Sequence, residues 1–168
     1  YNTFMEYRDL YDENRKPLGR TIAKNQPVPS GCYYIVVVVF IENSKGELLL
    51  QKRSEEKGGK WATTGGHPKT GETSEIGMQT ELKEELGLEV ELKELKYFKT
   101  IKSEDDFVDL YYLKKDVDIK DIKMQPSEVQ AVKWYTKKEI KNLISSSEFF
   151  KYHIDYYKYF LSFIEENA

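Results

Sequence analysis

One cysteine, Cys32, is all that the 168 residues supply, so no internal disulfide can form and the fold must rest on packing. A lone thiol is compatible with a reducing compartment. Long apolar runs are missing as well. The longest, Ile35 to Ile41, falls far short of the roughly 20 residues that a membrane-crossing helix needs. Charge is close to balanced: a net charge of −3 gives no electrostatic reason to expect a nucleic-acid polymer or an anionic membrane as the main partner. The first residues are acidic and polar where a secretory leader would carry an apolar core, and the expected location is the cytoplasm. No internal repeat, low-complexity tract or long linker interrupts the chain. The expectation is therefore one domain over 1–168, with a turn-rich segment at 1–32, a loop and helix at 66–88, and helices over 137–168.

What is present belongs to a globular protein. Hydrophobic residues make up 39% and charged residues 33%, and 13 Tyr, 8 Phe and 2 Trp argue against disorder. Turn chemistry at Asp12-Glu13-Asn14 and Pro17-Leu18-Gly19 leaves room for a hairpin that uses Tyr7 to Tyr11. Tyr33 to Ile41 is a β-branched run that reads as a strand buried on both faces. Further strands are expected at Glu47 to Arg53, at Lys60 to Thr64 before a Gly65-Gly66 loop, at Leu92 to Ile101, at Phe107 to Lys114 and at Val129 to Tyr135. Helices are expected at Thr73 to Leu86, capped by Thr73 or Ser74 and ended by Gly87, and at Lys137 to Ile144 and Glu148 to Glu165. Strands interleaved with helices predict an α/β fold, a mixed sheet covered by helices on both faces.

Chemistry concentrates on the first helix. Glu81, Glu84 and Glu85 are spaced i, i+3 and i+4, so the three carboxylates share a face. Met78, Leu82 and Leu86 fall on a neighbouring arc that can pack against the sheet. Crowded carboxylates want a counter-charge, and oxygen ligands of this kind suit Mg²⁺ together with substrate phosphates. By themselves the three glutamates also fit a solvated acidic face, the commoner use of such a pattern. Their surroundings favour the metal. Gly65 and Gly66 let backbone approach a ligand, and Gly77 lies one turn before Glu81 on the carboxylate face, where a missing side chain leaves room.

Gly66, five residues, Glu72, seven residues, then Thr80-Glu81-Leu82-Lys83-Glu84-Glu85-Leu86-Gly87-Leu88 resembles the Nudix box, with eight of its nine defined positions matched. The resemblance implies a Nudix-type α/β/α sandwich and a metal-dependent pyrophosphohydrolase acting on a small-molecule diphosphate, such as a nucleoside-diphosphate derivative. It also implies Mg²⁺ (or Mn²⁺) held by Glu81 and Glu85, with help from Glu84 and the Gly66 carbonyl. Glu72 is implied as the brace of the loop and Gly87 as the end of the helix. Thr80 departs from the pattern, standing where the family has an arginine that supports the ligand glutamates; Lys69 or Lys83 is the candidate substitute. The departure motivates a second reading, a Nudix-fold binding module of weak or no catalysis. The enzyme leads, because a pure binding module has no need of crowded carboxylates.

For a general base the family draws on the box or on residues outside it. Glu84 is the internal candidate, Asp105, Asp106, Asp109 and Glu128 are external ones, and the reading leans to Glu84 over Asp109. Trp61 to Pro68 is also similar to the corresponding loop of isopentenyl-diphosphate isomerases, which share the Nudix fold. The cysteine that those isomerases need is Gly65 here, and the upstream histidine ligands are absent, so hydrolysis leads and isomerase-like activity trails. Arg53, Lys52 and His67 are the candidates for contacting substrate phosphates. Tyr33, Tyr34, Phe40 and Trp61 read as core rather than as stacking platforms. Phe149, Tyr152, Tyr156, Phe160 and Phe163 have helical spacing and read as a packing stripe, wide enough to leave a homodimer surface open.

Overall fold

The computed structural model describes residues 5–168. Strands β1 (Tyr7–Tyr11) and β2 (Pro17–Ala23) form the N-terminal hairpin. The main sheet is built on β3 (Tyr34–Glu42), whose residues from Val37 to Ile41 are almost wholly buried, as a strand covered on both faces must be. On one side β3 runs parallel to β8 (Asp106–Lys114) in continuous register from Tyr34↔Asp106 to Glu42↔Lys114. Beyond β8 lies β7 (Lys96–Lys102), antiparallel to it. On the other side β3 meets β4 (Leu48–Arg53) only at Glu42↔Leu48, and the two strands then part. The space along β3 is taken by β6 (Thr64–Gly66), while β4 pairs with β5 (Trp61–Ala62) and β9 (Val129–Tyr135). One parallel pair among antiparallel ones makes the sheet mixed, and the fork between β3 and β4 opens it at one end.

Side-chain alternation along β3 sorts the core into two layers. Val37, Val39 and Ile41 pack with Met78, Leu82 and Leu86 of helix α1 (Ser74–Leu86). Val38 and Phe40 face the other way, onto Ile140 and Leu143 of α2 (Lys137–Ser145) and Tyr157 and Phe160 of α3 (Ile154–Glu166). The architecture is the α/β/α sandwich that the pattern predicts. Helix α1 starts at the N-cap Thr73, whose side chain accepts from Ile76 N at 3.2 Å, and ends where Gly87 turns left-handed at φ 64°.

Three expectations shift. Lys60 to Thr64 is two short strands rather than one, and Gly65-Gly66 lies within β6 instead of a loop, because β6 supplies partners to the β3 edge that β4 has left. Leu92–Glu94 winds into a 3₁₀ turn and the strand starts only at Lys96. The last helix starts at Ile154, not Glu148, because the preceding residues are held by β5: Trp61 N donates to Glu148 O at 2.9 Å and Phe150 N to Trp61 O at 2.7 Å. A 3₁₀ turn over Lys151–His153 connects this extended stretch to α3. The aromatic stripe therefore divides. Phe149 and Phe160 are core, while Tyr152 stands 64% exposed at the opened end of the sheet.

Candidate active site

A cleft of about 470 Å³ occupies the opened end of the sheet, lined by β6, α1, the hairpin rim and the stretch before α3. Glu81, Glu84, Glu85 and Gly66 meet there, as do Arg53 and His67. Glu85 is buried at 7% exposure, and Glu84 stands at the exposed edge. Burial pushes the Glu81 carboxyl up to about 7, despite the nearby Lys69, and the Glu85 carboxyl up to about 8, with Glu81 adding repulsion. Two carboxylates taken from water and set against each other are stable as anions only with a cation between them.

The backbone opposite is shaped for that arrangement. A Cβ built on Gly66 would lie 2.2 Å from Glu81 Cδ, so only a glycine lets β6 lie this close to the carboxylate. Behind Glu85, Gln51 Nε2 donates to Oε2 at 3.4 Å, and Thr64 Oγ1 fixes the Gln51 amide from its other side at 2.9 Å. Among the described residues no three acidic, histidine or cysteine side chains converge on a point. Glu81 and Glu85, with the Gly66 backbone beside them, could offer oxygen donors to a metal, and the remaining positions would fall to water and phosphate. That division suits Mg²⁺, which keeps several waters and binds through one or two carboxylates plus substrate phosphates.

The loop before α1 is tied to the helix. Glu72 accepts from Lys69 N at 2.7 Å and from Thr80 Oγ1 at 2.7 Å. Thr80 thus anchors the loop carboxylate, and the cation beside the glutamates comes from Lys69, whose Nζ lies 2.9 Å from Glu84 Oε1. Lys83 turns away to Glu89 and does not substitute. Gly77 admits the loop rather than a ligand: a Cβ there would come within 2.7 Å of Pro68.

Two expected site residues lie elsewhere. Asp109 lies on the α1 side of the sheet beneath the start of that helix and is not part of the cleft lining. It accepts from Arg15 Nη1, Thr100 Oγ1 and Ser74 Oγ, the first two at 2.7 Å, and is only 2% exposed. Burial would raise its carboxyl, but these hydrogen bonds together hold it below the ordinary range, so it is a poor proton acceptor. Lys52 alternates with Gln51 and Arg53 along β4 and does not line the cleft. Arg53 does, its guanidinium 3.9 Å from the centroid of the Phe150 ring.

Three residues that read as core or packing stripe in the sequence, Tyr34, Tyr152 and Tyr156, stand on the cleft instead, together with Phe150 and His153. Burial lowers His67 to about 4 and His153 to about 3, so both rings are neutral near pH 7. The only sequence signal for this wall was the glutamate-serine-rich break before Phe149, which interrupts the helical pattern.

Comparison with known proteins places the family and the fold. The model of the NUDIX domain family matches residues 33–156. An uncharacterised Nudix hydrolase of Listeria monocytogenes is 35% identical over 153 residues, covering 88% of this chain and 90% of that one. An isopentenyl-diphosphate Delta-isomerase of Pectobacterium atrosepticum is 41% identical over 83 residues, 47% of this chain and 46% of that one. In fold, a crystal structure from Deinococcus radiodurans superposes with a TM-score of 0.69 at 24% identity, over 85% of this chain and 91% of that chain.

Proposed function

The chain belongs to the NUDIX domain family, and from that premise we propose that it is a cytoplasmic, metal-dependent pyrophosphohydrolase that cleaves the diphosphate of a nucleoside-diphosphate derivative or a similar small organic diphosphate. The observation that carries the reading is the half-buried Glu81 beside the buried Glu85, set against the side-chain-free backbone of Gly66. These are the residues that would hold Mg²⁺ or Mn²⁺, and the chemistry supplied there is neutralisation of charge on the phosphate oxygens and activation of the attacking water.

The remaining work falls to the chain itself. Arg53 is a cation on the cleft wall, held over the Phe150 ring and so ordered before a phosphate arrives. Gln51 and Thr64 keep the Glu85 carboxylate oriented. Glu84, at the exposed edge of the helix and beside Lys69, is assigned as the proton acceptor for water; Asp109 lies off the cleft, while Asp106 and Glu128 line it. Isomerase chemistry lacks its thiol. Gly65 occupies the position of the catalytic cysteine, and Cys32 is buried with Leu10 and Ile22 in a separate cluster.

The test is phosphate or nucleotide release from a panel of organic diphosphates, with Mg²⁺ and then with chelator, comparing wild type with Glu85→Gln. Metal-dependent turnover reduced about 100-fold or more by the substitution is expected, the order of loss seen when a group stabilising the transition state is removed. Full activity in the variant would overturn the ligand assignment. Binding of the panel without turnover of any member would favour the binding module.

A further inference from the structure

The loop between β6 and α1 is fixed at four points. Pro68 packs over Gly77, where a Cβ would come within 2.7 Å of the proline ring. Thr70 N donates to Tyr7 O of the hairpin at 3.0 Å, and Gly71 N donates to Asp9 Oδ2 at 3.0 Å. Glu72 closes the loop on itself and on the helix, accepting from Lys69 N with one carboxylate oxygen and from Thr80 Oγ1 with the other, each at 2.7 Å. A surface loop held this firmly gives a fixed origin to the side chain it carries.

That side chain is Lys69. Its Nζ lies 2.9 Å from Glu84 Oε1, and the two side chains keep 30% and 41% of their surface in water. An ion pair so exposed adds little to stability, so the bracing around it serves another purpose. Lys69 does not line the cleft, whereas Glu84 does. The lysine therefore reaches the substrate space only through the glutamate. Left alone, Glu84 would be repelled by Glu81, its i−3 neighbour on the helix, and would swing out to water.

We propose that Lys69 is a positioning residue for hydrolysis: mounted on the braced loop, it holds Glu84 toward the cleft, and Thr80 acts through it by anchoring Glu72. The inference rests on the hydrolase reading and on Glu84 as the proton acceptor.

Lys69→Met keeps the apolar stem and removes the ammonium. With Mg²⁺ and a diphosphate that wild type hydrolyses, kcat is expected to fall about tenfold, part of what a well-placed proton acceptor contributes, with KM nearly unchanged. Lys69→Arg should restore most of kcat. In a Glu84→Gln background Lys69→Met should cost nothing further, because the group it positions is gone. Thr80→Val, which releases Glu72, should lower kcat in wild type but not in Lys69→Met. Calorimetry with Mn²⁺ alone supplies the arm that needs no turnover. Lys69→Met should bind the metal as tightly as wild type or more tightly, since a cation near Glu81 has been removed. Unchanged kcat, a rise in KM in place of the fall in kcat, the same loss repeated in Glu84→Gln, or weaker Mn²⁺ binding would each overturn the role of Lys69 alone. A wild type that hydrolyses no diphosphate would overturn the hydrolase reading, and this role with it.

Discussion

An alanine at position 66 would drive its Cβ into the Glu81 carboxylate, 2.2 Å away, in a part of the fold where β6 is held by β3 and α1 by the core. Neither element can retreat cheaply, so the carboxylate itself must move. Gly66→Ala is therefore expected to weaken Mg²⁺ binding at least tenfold by calorimetry. Overpacking would lower stability by about 1–3 kcal/mol in chemical denaturation. Unchanged Mg²⁺ affinity in a folded variant would mean that Glu81 is not a ligand. At this scale the sequence was legible where a residue's placement follows from its position on the helix, as with Glu81, Glu84 and Glu85, which all line the cleft. Asp106 and Asp109 were not separable: three residues apart on a strand they face opposite sides of the sheet, and nothing local in the sequence reveals that Asp106 reaches the cleft and Asp109 does not. Thr80 is a related case. Its hydroxyl serves Glu72 rather than the helix glutamates, a contact across the loop that no spacing rule announces.

The elements whose boundaries are written in their own residues were the ones predicted well. Strand β3 is a continuous β-branched run, and α1 carries its cap at Thr73 and its stop at Gly87. The elements set by distant partners were not. The late start of α3 depends on Trp61 capturing residues 148–150, nearly ninety positions away, and so the aromatic wall was read as a packing stripe. The N-terminal hairpin shows the same dependence. It reaches the cleft rim through Glu6 and Lys24, and it is fastened beneath α1 by Arg15, whose Nη1 lies 2.7 Å from Asp109 Oδ1. Removing the guanidinium with Arg15→Ala leaves a buried carboxylate with only the hydroxyls of Ser74 and Thr100. Breaking a fully buried pair costs roughly 3–5 kcal/mol, but the Arg15 side chain keeps 34% of its surface in water. The expected loss is about 2 kcal/mol in urea unfolding. Most of it should vanish when Asp109→Asn is already present. Additive losses in that double-mutant cycle would rule out the fastening.

For the molecule as a whole, acidification pulls in two directions. Glu81 and Glu85 bind protons more readily in the folded protein than unfolded, so falling pH favours the metal-free fold through them. His153 acts oppositely. Burial, and next Arg53, hold it at about 3 against an ordinary 6.5, so between those values the unfolded chain binds the proton and stability rises with pH. In the difference between wild type and His153→Phe, measured by urea unfolding in chelator, the glutamates cancel. The wild-type advantage is expected to grow from pH 5 to pH 6.5 by up to about 1.4 kcal/mol per pH unit and to level off above. A flat difference across that range would show that the ring is not buried as a neutral base.

The bridge between Trp61 and Phe149 has a consequence for how such a protein diversifies. The residues that would break the diphosphate sit on β6 and α1, whereas the wall that would choose what is attached to it hangs from β5 through a few backbone hydrogen bonds near the end of the chain. Cutting and choosing are inherited on separate stretches. Mutation at residues 152–156, beyond the Phe150 ring that holds Arg53, would try new cargoes while the scissors stay intact.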